Sequence, residues 1–199
     1  RFAVVGFSQG IFGPSCTATA LVTATGAVDQ IRNLRNIQAN ENPSTLLNMN
    51  ETYYGTGFDC AKNIVRSHVT SLPSHEKSSN LYLGFFLTDG LPTDDPTNDL
   101  SKVKDRIGPS VESFMTVGNT EAGGARLQPI LYGENLMPNP AVNLPRARDM
   151  MSFVAERGDS LPVSVDDVGQ LRFCDMLSSG KKTKYLVKDV GIINLTAHF

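Results

Sequence analysis

Several features that mark particular classes of protein are missing from this sequence. No apolar run approaches the roughly 18 residues that a membrane-spanning helix needs, so we expect no membrane span in this chain. The three histidines are widely separated, which argues against a zinc-type cluster. Neither a Walker loop nor a GxGxxG fingerprint occurs, so nucleotide binding is unsupported. The net charge of −2 predicts no strong attraction to nucleic acid.

Cysteine is also scarce. Cys16, Cys60 and Cys174 lie far apart and have no CxxC spacing, so a metal cluster or a thioredoxin-type redox motif is not expected. Two interpretations remain open at this point. All three residues are small buried apolar side chains, or two of them form a disulfide and leave one thiol over.

Two sequons are present, Asn50-Glu-Thr52 and Asn194-Leu-Thr196. They predict glycosylation at Asn50 and Asn194 and favour a secretory route. We therefore expect a secreted or extracellular protein. Because Arg1 is not an initiator methionine, we also expect the chain to begin inside a longer precursor.

Apolar runs of strand length alternate with helical patterns along the chain. The predicted strands are Phe2–Phe7, Leu81–Leu87, Ser113–Val117, Leu161–Val165 and Tyr185–Leu195. The run Leu81–Leu87 shows no alternation of apolar with polar residues, which predicts burial on both faces.

Apolar residues at helical spacing predict helices between these strands. The predicted helices are Val28–Leu34, Gly57–His68, Leu100–Ile107, Ala147–Val154 and Asp166–Cys174. Gly108-Pro109 is expected to end the third, and Gly158 to cap the fourth. Residues 119–145 are rich in glycine and proline and predict a long loop or insertion.

Strands that alternate with helices are typical of a doubly wound sheet. We predict an α/β fold of the Rossmann-like kind, with a mostly parallel sheet and helices on both faces. Residues 1–180 are expected to form one domain. Residues 181–199 are expected to be a connector and a further strand, which either completes the sheet or starts another domain.

Two segments belong at the carboxyl ends of the strands, where ligands gather in such sheets. Gly55–Ala61 opens a helix, and Leu87–Gly90 closes a buried strand. Thr56 offers a hydroxyl and Asp89 a carboxylate, which are hard oxygen ligands suited to Mg²⁺ or Ca²⁺. The nearby acidic run, Thr93–Asp95, is expected to be a solvated loop.

The order of segments resembles a von Willebrand factor type A domain over roughly residues 1–178. The matching segments are Phe2–Ser8 as the second strand, Thr56–Ala61, Leu87–Gly90 with its Thr-Asp-Gly turn, Phe114–Gly118 as the "VGVG" strand end, and Met151–Leu171 as the closing helix and strand. A single motif of this kind is common, and the shared order carries the resemblance.

The resemblance implies a metal-dependent adhesion site. The family holds a divalent cation through a DxSxS motif on its first strand, a threonine and the aspartate of Thr-Asp-Gly, and a carboxylate of the partner completes the shell. Thr56 and Asp89 would fill the last two roles, with magnesium or calcium as the implied cation. The DxSxS motif itself is absent from this sequence, since the family places it on the central strand, upstream of Arg1.

Two candidates are open for that central strand. One is a segment preceding Arg1. The other is Lys188–His198, which resembles a degraded first strand with Asn194, Thr196 and His198 in place of the Asp, Ser and Ser. In either case the resemblance implies a non-enzymatic adhesion or assembly module with a partial or degenerate metal site. Its partner would be another protein or neighbouring subunits of an extracellular assembly.

The alternative is a serine hydrolase, because Gly6-Phe-Ser-Gln-Gly10 matches the GxSxG nucleophile elbow. Ser8, Asp89 and His198 follow the Ser–acid–His order of a catalytic triad. An elbow should enter a helix at once, however, and the residues after Gly10 are turn-like and include Gly13-Pro14. We therefore expect no enzymatic activity.

Overall fold

The structure of the chain is a computed structural model. It describes residues 1, 3, 5–10, 13–18, 21–23, 25, 26, 28, 29, 52–88, 91–95, 97, 99–132, 139–160, 163–165 and 171–173. The predicted helix at Val28–Leu34 is described only at Val28 and Asp29, which have helical backbone. The predicted strand at Tyr185–Leu195 lies outside the described residues.

Strands and helices follow one another along the chain. The strands are β1 (Val5–Gly10), β2 (Gly13–Ala18), β3 (Leu81–Thr88), β4 (Gly124–Tyr132), β5 (Val163–Val165) and β6 (Leu171–Phe173). The helices whose bounds the structure describes are α1 (Tyr54–Ser71), α2 (Ser74–Lys77), α3 (Leu100–Glu121) and α4 (Pro140–Arg157). The helices that the structure describes are too short or too polar to cross a bilayer.

The described strands form two sheets. β1 and β2 make an antiparallel pair, and β3, β4, β5 and β6 make a four-stranded sheet in that order. Within the second sheet β4 and β5 are parallel, whereas β5 and β6 are antiparallel. Helices together with a parallel strand pair make this an α/β chain, as predicted. The prediction of a helix through Leu171 is wrong, because that residue begins β6.

β3 runs one residue beyond its predicted bounds, and its burial differs from the prediction. Tyr82, Phe86 and Thr88 are buried. The alternate residues, Leu81, Leu83, Phe85 and Leu87, are 44–58% exposed. The expectation of burial on both faces is therefore wrong. An unbroken apolar run shows that neither side of a strand is polar, but it does not show that something covers each side.

α3 is much longer than predicted, and it contains the segment that was predicted to be a strand. It runs for 22 residues, continues through Pro109 and includes Ser113–Val117. Its buried residues recur at helical spacing on both sides of the proline: Val103, Ile107, Val111, Phe114, Met115 and Gly118. That continuous apolar stripe outweighs the cost of an internal proline. The match of Phe114–Gly118 to a family strand end is therefore wrong.

The predicted loop at residues 119–145 instead contains β4 and the start of α4. Two glycines make the entry to β4 possible. A Cβ at Gly123 would lie 2.3 Å from the carbonyl oxygen of Ser78, and Gly124 has a φ of +146°. These glycines indicated a loop in the sequence, but they form a tight turn between α3 and a buried strand.

α1, α4 and β5 also confirm predicted elements. α1 covers the predicted Gly57–His68 segment and buries Phe58 and Val65. α4 buries the predicted residues Ala147, Met150, Met151 and Val154 and ends at Gly158. β5 lies within the predicted Leu161–Val165 strand.

The chain divides into two compact units. The first comprises Arg1–Tyr82 with Pro92–Gly124, and the second comprises Leu83–Leu91 with Ala125–Phe199. In the first unit α1 packs chiefly on α3 and also contacts both strands of the hairpin. The buried side chains of these two helices, among them Val69 and Ile107, form its core.

In the second unit β4 meets the end of α4 at Gly158. The backbone N–H of Leu127 donates to the Gly158 carbonyl at 2.9 Å, and the Ser160 hydroxyl donates to the Leu127 carbonyl at 2.5 Å. Arg126 forms an ion pair with Asp159 beside them. A Cβ at Gly158 would lie only 2.4 Å from the Leu127 carbonyl oxygen. This close backbone approach therefore requires glycine.

We predict that Gly158→Ala lowers the free energy of unfolding by about 1–3 kcal/mol, the usual cost of overpacking. The φ of Gly158 is −81°, which alanine adopts freely, so the loss is steric. Gly6→Ala is the matched control, because a Cβ there meets nothing within 4 Å. Urea unfolding of both variants measures the difference. Equal stability of the two variants would contradict the steric explanation.

Candidate functional site

Thr56 lies in the first turn of α1, directly after Tyr54 and Gly55. It is half-buried, between two buried glycines, Gly55 and Gly57. The residue preceding the helix is Tyr53, which makes no side-chain capping hydrogen bond. The first backbone N–H groups of α1 therefore need an acceptor from elsewhere.

Asp94 supplies that acceptor from a loop 40 residues further along the chain. Its Oδ2 accepts the N–H of Tyr54 at 2.9 Å, and its Oδ1 accepts the N–H of Gly55 at 2.9 Å. A Cβ on Gly55 would lie 3.1 Å from Oδ1, so glycine allows the carboxylate to approach the backbone closely. The start of α1 is thus capped by a carboxylate, which the helix dipole favours.

The ionisation of Asp94 reflects opposing influences. Burial raises the pKa of its carboxyl, while the N–H groups of Gly55 and Tyr54 and the charge of Arg106 lower it. The hydrogen-bond donors therefore favour the charged form that burial disfavours. This carboxylate has its oxygens directed at the backbone of α1, so its role is to anchor the helix.

Further bonds fix the loop around Asp94. The N–H of Thr93 donates to the Thr52 carbonyl at 2.8 Å, and the N–H of Thr52 donates to Oγ1 of Thr93 at 2.7 Å. Arg106 of α3 donates to the Asp94 carbonyl at 2.7 Å and pairs with Asp95 at 2.9 Å. The loop therefore joins the segment before α1 to α3.

Asp95 is a buried charged residue of this loop. Its side chain is 2% exposed, and it accepts from the hydroxyl and the N–H of Thr97. The Thr97 hydroxyl holds the pKa of Asp95 below its ordinary value, opposed by burial and assisted by the Thr97 N–H, Arg106 and Lys102. The prediction that Thr93–Asp95 is a solvated loop is therefore wrong.

Asp89, the other predicted metal ligand, lies outside the described residues, as do Asn50 and Asn194. Another carboxylate near Thr56 in sequence is Asp59, on the next turn of α1. Its Oδ1 pairs with Lys62 at 2.7 Å, and its Oδ2 accepts from Ser110 of α3 at 3.2 Å. Asp59 thus links α1 to α3.

The donor set that the structure describes falls short of a metal site. Thr56 is a hard oxygen donor of the kind that magnesium and calcium accept, but each ion takes about six or more oxygens. Over the described ranges, no group of three or more His, Cys, Asp or Glu residues is placed to hold a metal ion. The described residues alone therefore do not fit a cation, and Asp89 and further ligands would be needed.

Ser8 is not on a nucleophile elbow. It lies inside β1, opposite Ser15 of β2, and Gly10 pairs with Gly13 at the end of the hairpin. An elbow places its serine on a sharp turn from a strand into a helix. The Gly6–Gly10 segment instead continues into a second strand. His198 lies outside the described residues.

His68 packs against a tyrosine on its half-buried side of α1. Its Nδ1 shares a hydrogen bond of 2.6 Å with the hydroxyl of Tyr82, and the two rings meet edge to face. Burial lowers the pKa of His68, and the positive charge of Arg1 lowers it further. This arrangement is a packing contact between α1 and β3.

Cys16 and Cys60 form a disulfide. Of the two interpretations of the cysteines, the structure shows the one that includes a disulfide. Cys174 lies outside the described residues.

Comparisons with protein families, curated proteins and solved structures gave no match to this chain.

We predict that Asp94→Ala lowers the free energy of unfolding by about 1–2 kcal/mol, because the N–H groups at the start of α1 lose their acceptor. Asp105→Ala is the control, since Asp105 is an exposed residue of α3. Its loss is expected within about 0.5 kcal/mol. Thermal or urea unfolding followed by circular dichroism measures both, and equal losses would argue against the cap.

We predict that Asp95 stabilises the fold in a pH-dependent way. Because its folded pKa lies below the ordinary value of 3.8, the stabilisation is present above pH 3.8 and is lost as the pH falls through the folded value. The stability difference between the native chain and Asp95→Asn should therefore shrink below pH 3.8. Urea midpoints over a pH series measure this difference, with Asp105→Asn as control. A difference that stays constant down to strong acid would refute the assignment.

Proposed function

We propose that this chain is a module of the von Willebrand factor A type that works by binding another protein, in adhesion or in the assembly of an extracellular or surface structure. The fold would be Rossmann-like and doubly wound, with a mostly parallel sheet. Residues 1–180 would form the module. Residues 181–199 would connect it to, or complete it with, a further strand.

The observation that carries the proposal is the position of Thr56 at the start of its helix. Thr56 stands in the first turn of α1. β3 ends at Thr88, and Asp89 is the next residue in the sequence. In α/β sheets these are the positions at which ligand-binding residues gather. The α/β class of the chain and the order of these two segments agree with the resemblance in the sequence.

Magnesium or calcium would be held by Thr56 and Asp89 together with further oxygen ligands. Such a cation supplies a positive charge that attracts a carboxylate of the partner. Thr56 would contribute a neutral oxygen, so the charge balance of the site would rest largely on Asp89. Asp94 already anchors α1, and its contribution would be to fix the helix turn that carries Thr56.

Two features support a secreted location. A disulfide such as Cys16–Cys60 persists in oxidising compartments and is rare in the cytosol. The sequons at Asn50 and Asn194 would take glycans on the same route. An extracellular partner, or neighbouring subunits of an assembly, fits this location.

The test is a magnesium and calcium titration by calorimetry on the full chain and on Asp89→Ala. We expect millimolar or tighter binding by the native chain and none by the variant, because the variant loses the carboxylate ligand. Asp105→Ala should bind as the native chain does. Circular dichroism checks that every variant is folded. The absence of binding by the folded native chain would overturn the metal-dependent site and leave a structural assembly module.

A further inference from the structure

The hairpin of β1 and β2 is a sheet of its own among the described strands. The two strands pair with each other from Val5–Ala18 to Gly10–Gly13, and the other described strands form the separate four-stranded sheet. An isolated two-stranded hairpin is marginally stable in water. Whether this hairpin is ordered therefore depends on its contacts with the rest of the fold.

The hairpin packs on α1 and is bonded to it. The ring of Phe7 in β1 lies against Gly57, where a Cβ would come within 2.8 Å of the ring. The same ring meets Tyr54 edge to face, at 6.2 Å between centroids. Glycine at position 57 thus opens a place for the phenylalanine on the first turns of α1.

The disulfide acts on the same pair of hairpin residues. Phe7 and Cys16 are directly opposite each other in the strand register, so their side chains lie on the same face of the hairpin. Cys16 is bonded to Cys60, which stands one helical turn after Gly57. One cross-strand pair therefore holds one turn of α1, by packing through Phe7 and by a covalent bond through Cys16.

Both cysteines are half-buried residues, so the disulfide is not enclosed in the core of the unit. We propose that the Cys16–Cys60 disulfide is a redox-sensitive cross-link that determines whether the hairpin is docked on the first turns of α1. A dithiol reductant would transfer two electrons and two protons to the bond. The S–S bond breaks, two thiols form, and the reductant becomes a disulfide.

Release would be local because the remaining core does not depend on the bond. α1 and α3 pack on each other through fully buried residues such as Val69, Ile107 and Val111. The Asp94 cap and the Ser110–Asp59 hydrogen bond also join the start of α1 to the loop and to α3. Reduction leaves these contacts in place and removes only the covalent tie to the hairpin.

Hydrogen exchange followed by mass spectrometry tests the proposal on the full chain. A Cys174→Ser background prevents the third thiol from exchanging with the pair. On reduction we expect exchange across Val5–Ala18 to rise about tenfold or more, while exchange across α3 changes less than about twofold. Unchanged exchange in the hairpin would overturn the proposal. An equal rise in α3 would also overturn it, since the disulfide would then stabilise the whole unit.

Phe7→Ala separates the covalent tie from the packing contact. In the oxidised variant we expect the hairpin to remain protected, and on reduction we expect it to exchange faster than in the reduced parent. If Phe7→Ala alone released the hairpin as fully as reduction does, the packing of Phe7 would hold the hairpin on α1, and the proposal would fail. Cys16→Ser/Cys60→Ser should reproduce the reduced state without added reductant, and a protected hairpin in that variant would contradict the proposal.

Discussion

The carboxylate of Asp94 at the start of α1 is the interaction on which the arrangement of the first unit depends. It satisfies the N–H groups of Tyr54 and Gly55, for which Tyr53 offers no side-chain acceptor. It also brings its loop next to α3, where Arg106 binds both Asp94 and Asp95. The helix turn that carries Thr56, the packing of α1 on α3, and the docking of the hairpin near Gly57 all build on this fixed end.

Besides the turn at Gly123 and Gly124, close approaches at three further positions explain other glycines that the fold needs. Gly55 admits a carboxylate, Gly57 admits the Phe7 ring, and Gly158 admits the Leu127 carbonyl. Each of these positions lies in or beside a helix, where glycine is otherwise unfavourable. The low helix propensity of glycine is offset at these positions, because a larger residue would separate two parts of the fold that pack directly on each other.

Local periodicity in the sequence predicted the elements whose pattern is uninterrupted. The buried stripe of α4 and the first turns of α1 follow from residues spaced three and four apart, and β3 follows from one apolar run. The strand predicted at Ser113–Val117 failed because Phe, Thr and Val favour strands over a short window. The helical stripe that contains them is visible only when Gly108-Pro109 is read as part of it.

β4 was missed because its residues include Arg126 and Pro129, which are unusual in a buried strand. The candidate site was predictable in part. Helical spacing located the start of α1 near Thr56, and a lack of a capping residue at Tyr53 indicates that an acceptor must come from elsewhere. Nothing local identifies Asp94 as that acceptor, since the pairing joins residues 40 positions apart and depends on how α3 and the loop pack.

The exposed face of β3 has a consequence for the behaviour of the chain in solution. This strand has eight residues, and none of them is charged or a proline. Exposed strands of natural proteins usually carry one or the other, which protects them against pairing with other chains. Its exposed leucines and phenylalanine are of the kind that seeds intermolecular sheets when left uncovered. The colloidal stability of this chain at high concentration therefore depends on what lies over β3.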